Sequence, residues 1–257
     1  MIKMQRYFID PGQFHDTSVV IAGDDARHIG KVMRSKPGDK LIVSDGVNRV
    51  ALAEIVKLDP QEVTAEIIEM LEPTGEPAVE VTVAQSLPKG DKMETVIQKC
   101  TEIGASAFLP FISERTVVQY DGKKEEKRTA RWRKIAKEAA EQAHRSRIPA
   151  IEAPVSWREM LSMLVGFDLV CMCYEKEHGQ QLRDVLKPFS ARLASGRTCR
   201  VAVIVGPEGG FSEQEVAEAE KAGAVPAGLG RRILRTETAA MAALTCIMYE
   251  SGEMGGI

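Results

Sequence analysis

The sequence predicts an α/β protein in two parts, a small β-rich domain followed by a larger domain built on a parallel sheet. Three observations carry this. Residues 1–72 hold five short runs of alternating or β-branched character separated by turn residues. Beyond them strands alternate with amphipathic helices, the order that gives a parallel sheet with crossover helices. Between the two lies Glu72-Pro73-Thr74-Gly75-Glu76-Pro77, whose prolines and glycine break any periodic element. The expected domains are therefore 1–72 and 78–257, with 73–77 as a short connector.

In the first domain the expected strands are Arg6–Ile9, Thr17–Ile21, Lys40–Ser44, Arg49–Val56 and Glu62–Ile68, with Asp45-Gly46 as a hairpin turn. Five short strands suggest a small closed or half-closed barrel. A helix from Asp24 to Val32, capped by Asp24 or Asp25, interrupts them. Arg27, Lys31 and Arg34 then share one helical face by i, i+4, i+7 spacing, close to His28 and Lys36. Such a face is either solvated or a phosphate contact. His28 shows no titratable partner in the sequence and is given no chemistry.

The second domain opens with a strand at Val79–Ala84. Asp91 with Glu94 can cap a helix whose Met93, Val96, Ile97, Cys100 and Ile103 form an apolar stripe, and Gly104 stops it before the strand Ala107–Phe111. Lys89, Lys92 and Lys99 read as solvated lysines, Lys89 alone lying at a strand end beside Gly90. A long basic helix is expected from Glu126 to Ser146, with Trp132, Ile135, Ala136, Ala139, Ala140 and Ala143 inward. A helix at Trp157–Leu164 and a buried strand at Leu169–Tyr174 follow.

The all-apolar run Val201–Val205 is a strand buried on both faces, ending at Gly206-Pro207-Glu208-Gly209-Gly210. Three residues without a Cβ let backbone approach a ligand closely. Ser212 with Glu215 is a capping box for a helix through Lys221. A second loop, Gly228-Leu229-Gly230-Arg231-Arg232-Ile233-Leu234-Arg235, leads to Thr236 as the expected cap of a helix from Glu237 to Glu250. Glycine loops at the carboxyl ends of strands, each leading toward a helix, make a ligand crevice. No lysine follows these glycines as a phosphate-binding P-loop requires, and Gly206, Gly209 and Gly210 do not match Gly-x-Gly-x-x-Gly. Diphosphate binding is thus the weaker reading.

Composition limits the function classes. The chain of 257 residues is 44% hydrophobic and 28% charged, as a globular protein is. Its net charge of −3 argues against a general nucleic-acid binder, yet Lys123 to Arg147 holds ten Lys or Arg against four Glu, a local +6 that leaves −9 elsewhere. Five cysteines without paired metal spacing read as buried free thiols in a reducing cytosol, with no metal expected. No apolar run reaches the roughly 18 residues of a membrane span, so no membrane partner is expected and the cytoplasm is the expected location.

Val205-Gly206-Pro207-Glu208-Gly209-Gly210-Phe211-Ser212 and the segment Leu229 to Ala239 resemble the cofactor-binding segments of the RsmE family. The likeness extends to Arg6-Tyr7-Phe8, His28-Ile29 with Arg34, Pro37-Gly38-Asp39 and Gln98 to Gly104, and so covers essentially the whole chain. It implies a PUA-like RNA-binding β-barrel before a SPOUT α/β domain with a carboxyl-terminal trefoil knot. It also implies a homodimer through that domain, and S-adenosylmethionine-dependent methylation of N3 of a uridine in 16S ribosomal RNA, within the 30S subunit. By this resemblance the cofactor site comprises Tyr174, Glu175, Val205, Gly206, Pro207, Glu208, Gly209, Gly210, Leu229, Gly230, Ile233, Leu234, Thr238 and Ala239. For Glu208 a loop-structuring role stands beside cofactor contact. RNA contacts are expected from Arg6, Arg27, Lys31, Arg34, Lys89 and Gln142. Arg232 or Arg235, with Arg231 a further candidate and Arg145 a supplement, would face the substrate, and Glu237 would orient an arginine or relay the proton. Two other readings stand beside this one: a non-catalytic RNA-binding assembly factor, and a methyltransferase of another RNA position.

Overall fold

The computed structural model describes residues 4–118, 122–193 and 198–255. They form two compact units, Met1–Glu76 with Ala140–Ile148, and Pro77–Ala139 with Pro149–Ile257.

The first unit is a five-stranded sheet of β1 (Arg6–Phe8), β2 (Ser18–Ala22), β3 (Lys40–Ser44), β4 (Val50–Leu58) and β5 (Glu62–Leu71), in the order β1-β3-β4-β5-β2. β1 runs parallel to β3 and the other pairs are antiparallel. No ladder joins β1 to β2 among the described residues, so the sheet does not close into a full barrel. Register shifts in the β4–β5 pair are bulges of the kind that bend a sheet. Val19, Ile21, Val43, Ala53, Ile55 and Val63 fill its core.

The expected helix after β2 is shorter and differently capped. α1 spans Gly23–Arg27 with Ala22 as a cap that makes no side-chain bond, and passes into a π turn at His28–Val32. Arg34 then takes a left-handed φ of 55°, so the shared helical face of Arg27, Lys31 and Arg34 does not form. The backbone turns there because Gly38 N and Asp39 O bond to Ile55 of β4. His28 does have a partner: the Tyr7 hydroxyl lies 3.0 Å from its Nδ1. Burial first, then Glu141 and Asp25, push the Tyr7 phenol up, so it stays protonated beside the imidazole.

At the expected hairpin, Asp45 Oδ1 accepts from the amides of Val47, Asn48 and Arg49, while Oδ2 takes Arg49 Nε at 2.8 Å. Burial raises this carboxyl, but its hydrogen bonds more than offset that and hold it down at about 2. A depressed acid stabilises the fold above its unfolded pKa and stops doing so as pH falls through the folded one. Acid unfolding of wild type should therefore include a loss between pH ~4 and ~2 that Asp45→Asn lacks, as read by circular dichroism.

Residues 140–148 belong to this unit through specific bonds. Arg6 Nη1 donates to Arg145 O at 2.8 Å and to Ser146 Oγ at 3.3 Å, and Ser44 Oγ donates to Ser146 O at 3.0 Å. Glu76 accepts from Arg145 Nη2 at 2.7 Å and from the amides of Ser146 and Arg147 at 2.8 and 2.9 Å.

The second unit contains β6 (Val79–Ser86), α2 (Lys92–Ile103), β7 (Ala107–Ile112), all but the last three residues of α3 (Gly122–Gln142), β8 (Ala150–Ile151), β9 (Val155–Ser156) and α4 (Trp157–Met163). There follow β10 (Leu169–Cys173), α5 (Leu182–Leu186), α6 (Ser190–Leu193), β11 (Cys199–Val205), α7 (Glu213–Lys221), β12 (Val225–Ala227) and α8 (Thr236–Glu250). The sheet order is β12-β10-β11-β6-β7-β8, with β9 also on β7, and every pairing is parallel. Val201, Ala202, Val203 and Ile204 of β11 are fully buried, as a central parallel strand requires. α3 stops at Gln142 rather than Ser146, because His144 adopts a left-handed φ of 56°. Phe211 stacks on Phe111 with centroids 6.5 Å apart, and Trp157 lies 5.7 Å from each. Cys100, Cys171 and Cys199 are buried as expected, but Cys246 is exposed on α8.

Candidate active site

Parallel pairing puts the carboxyl ends of five strands at one edge of the second unit. Cys173 is level with Val205 and with Ala227, Val205 with Gln85, and Ser86 with Phe111. The loops that follow them, including both glycine loops, therefore share that edge.

The two glycine loops are joined by one buried hydroxyl. Thr236 Oγ1 donates to Gly206 O at 2.6 Å and accepts from Gln85 Nε2 at 2.9 Å, and that same Nε2 lies 3.4 Å from Gly206 O. Thr236 does not cap α8. The cap is Arg235, which makes no side-chain bond, and the hydroxyl is committed to the other loop instead. Since Thr236 already donates to a carbonyl, Gln85 must present its NH2 to this cluster, which leaves its buried Oε1 without a partner.

Each residue of the first loop is fixed differently. Glu208 takes Lys92 Nζ at 2.6 Å and the Lys89 amide at 3.1 Å. Burial raises its carboxyl, and bonds from Lys92 and backbone amides outweigh this and hold it below the usual range. This ionised, engaged carboxylate structures the loop. Lys92, read from sequence as a solvated lysine, also lies 3.9 Å from Glu237 Oε2 and so stands between an acid of the first loop and one in the first turn of α8. Only its place as the first residue of a helix that follows a strand's carboxyl end could have flagged it.

Gly209 O accepts from Arg115 Nη1 at 2.8 Å. Gly210, at φ 65°, leaves the space where the Glu175 carboxylate sits, so Tyr174-Glu175 does come against the first loop. In the second loop a Cβ on Gly228 would meet Gln181 Nε2 and Glu177 O, each at 2.7 Å, whereas Gly230, at φ 97°, faces open space. Gln181 Oε1 accepts from the Gly230 amide at 3.0 Å. Leu229 and Leu234 are half-buried, and Arg231, Arg232, Arg235 and Thr238 are exposed. Ile233 is 89% exposed, so it does not wall the crevice as expected.

Arg115 belongs to the loop after β7, which carries no sequence motif. Ser86, Ser113 and Thr116 hydroxyls bond one another at 2.8 to 3.0 Å. The Glu114 amide donates at 2.8 Å to Glu215, a carboxylate 4% exposed. A separate cavity of about 440 Å³ lies at the amino ends of β10 and β12, lined by Leu164, Phe167, Asp168, Val185, Phe189 and Val225 and by no residue of either glycine loop.

An RNA methyltransferase domain matches residues 75–248, and an RNA methyltransferase PUA domain matches residues 21–68. Ribosomal RNA small subunit methyltransferase E of Bacillus subtilis is 38% identical over 98% of this chain and 99% of its own length. The chain belongs to the RsmE family of RNA methyltransferases. The Synechocystis protein of that name is 32% identical over 96% of this chain and 78% of its own. The crystal structure of the Neisseria gonorrhoeae protein bound to S-adenosyl methionine superposes with a TM-score of 0.83 at 30% identity, covering 96% of this chain and 97% of that one.

For an RNA methyltransferase the useful cations are exposed, and this revises two expectations. Arg6 is 7% exposed and bonded within the first unit, so it is a core residue there rather than an RNA contact. Arg145 is 3% exposed and paired with Glu76, which removes it from the substrate-facing arginines. Arg27, Lys31, Arg34, Lys89 and Gln142 are exposed, although Arg27 pairs with Asp24.

Proposed function

We propose that this chain transfers a methyl group from S-adenosylmethionine to N3 of a uridine in 16S ribosomal RNA, with the 30S subunit as substrate. The observation that carries the reading is the Thr236 bond to Gly206, which makes one pocket of two glycine loops. Its residues fit a nucleoside: backbone approaches freely at Gly230, apolar Leu229 and Leu234 stand beside it, and the buried Gln85 Oε1 lacks a donor. When bound, S-adenosylmethionine supplies an electrophilic methyl group on a sulfonium.

The protein's task is alignment and removal of the N3 proton. Free uridine N3 has a pKa about two units above neutrality, so generating its anion costs about 3 kcal/mol. Arg232 or Arg235, exposed on the second loop, offsets that by donating to O2 or O4 as charge develops. Glu237 is the acceptor for the proton, at an Oε2 that is buried without a hydrogen bond and 3.9 Å from Lys92.

The proposal includes three further features. Segment 228–235 passes against 177–182, with Leu182 N donating to Gly228 O and Gly228 N to Gln180 O, before α8 returns to pack on β6 and β11; this path supports a trefoil knot. Tyr249, 65% exposed beside the exposed Cys246, supports α8 as a homodimer surface. An enzyme of ribosomal subunits works in the cytoplasm.

Incubating the protein with unmodified 30S subunits and S-adenosylmethionine, then analysing 16S nucleosides by mass, should yield 3-methyluridine. A different methylated nucleoside would move the reading to another RNA position, and no cofactor binding by calorimetry would leave an assembly factor. Thr236→Val removes the hydroxyl that joins the loops, at a cost of about 1–3 kcal/mol. Cofactor affinity should fall about tenfold or more, and unchanged affinity would show that the loops hold together without it.

A further inference from the structure

The loop after β7 is braced more heavily than a surface connection needs. Its base is the hydroxyl cluster of Ser86, Ser113 and Thr116, its next amide is taken by buried Glu215, and Glu215 is itself held by the Ser212 amide at 2.9 Å. This scaffold presents Arg115. The arginine's methylenes lie so close to Gly209 that a Cβ there would come within 3.1 Å of them, and Nη1 donates to Gly209 O at 2.8 Å. The rest of the guanidinium is exposed, and no carboxylate pairs with it among the described residues. Of the acids nearby, Glu114 is exposed and the Glu175 carboxylate sits against Gly210. A guanidinium bonded only to a neutral carbonyl keeps its full charge and a fork of donors suited to phosphate.

We infer that Arg115 seats the RNA at the rim of the crevice by binding a backbone phosphate beside the target nucleotide, while it braces the first glycine loop through Gly209. This rests on the function proposed above. A mobile RNA backbone reaches an exposed rim more readily than a base does, and one side chain holding both loop and phosphate couples substrate position to the cofactor pocket. Nothing local in the sequence separates Arg115 from an ordinary loop cation.

The test compares wild type, Arg115→Ala and Arg115→Lys, with unmodified 30S subunits titrated across a series of KCl concentrations and S-adenosylmethionine binding followed by calorimetry. Arg115→Ala should bind 30S about tenfold more weakly and raise KM for 30S measured at saturating S-adenosylmethionine. It should also flatten the slope of log affinity against log salt by about 0.7 to 0.9, the loss of one phosphate contact. Arg115→Lys keeps a charge and should keep the slope while binding severalfold more weakly. It also covers the case in which the alanine variant does not fold. Wild-type 30S affinity and slope in both variants would overturn the inference and leave Arg115 a loop brace, whatever happens to cofactor binding. Should wild type form no 3-methyluridine, the functional reading fails separately, and the salt slopes still report on Arg115.

Discussion

Replacing Arg232 or Arg235 with alanine is expected to lower the turnover of the saturated enzyme by about 10²- to 10³-fold at whichever position donates to the uracil oxygen. The magnitude follows from the charge that must appear. Uridine N3 is an acid too weak to ionise at neutral pH, and a positioned cation beside O2 or O4 stabilises the anion only as it forms. Both arginines are exposed on the loop between β12 and α8, and Arg235 immediately precedes the Thr236 that fixes this loop to Gly206. The two roles open to an arginine separate kinetically: one that stabilises developing charge lowers kcat, whereas one that holds phosphate raises KM. If both variants keep wild-type turnover at saturating 30S and only lose affinity, these arginines bind RNA and the charge is stabilised elsewhere. Raising the pH toward that of free uridine N3 should partly restore an oxyanion-deficient variant, because less of the barrier is then deprotonation.

Phe211→Ala should destabilise the protein by about 3–5 kcal/mol and lower its melting temperature by about 10 °C. Phe211 is fully buried, stacked on Phe111 and tilted against Trp157. Its ring also lies where a side chain on Gly206 would be, 3.0 Å from that missing Cβ. The same truncation therefore removes the floor beneath the first loop, and cofactor affinity should fall with stability. Phe211→Leu, which fills most of the volume, should lose less than half as much of both. A melting temperature within a degree or two of wild type, read by calorimetry, would mean that this aromatic cluster does not hold the loop.

Much of the site was legible because it is built from local chemistry. Apolar β-branched runs ending in glycines mark parallel strands and the loops at their carboxyl ends, and the capping box of Ser212 and Glu215 forms as its spacing indicates. The errors have a common form. Thr236 looks like a cap because threonine before a helix usually is one, yet its hydroxyl found a carbonyl thirty residues away. Arg145 looks like a free cation at a helix end, and Glu76 took it. Lys92 and Arg115 look like solvent-facing charges, and both hold the first glycine loop.

By itself the sequence determined the longer strands, the glycine turns, the parallel second sheet and the family to which the chain belongs, since periodicity, missing Cβ atoms and motif are properties of neighbouring residues; it left out the short β8, β9 and β12. Tertiary structure alone decided which polar groups meet. It assigned residues 140–148 to the first unit, turned Ile233 outward, buried Arg6 and Arg145, and joined the two loops through Thr236. The physical reason is that a hydrogen bond depends on where the folded chain brings its partner, and a donor or acceptor in the sequence carries no record of which distant group will reach it.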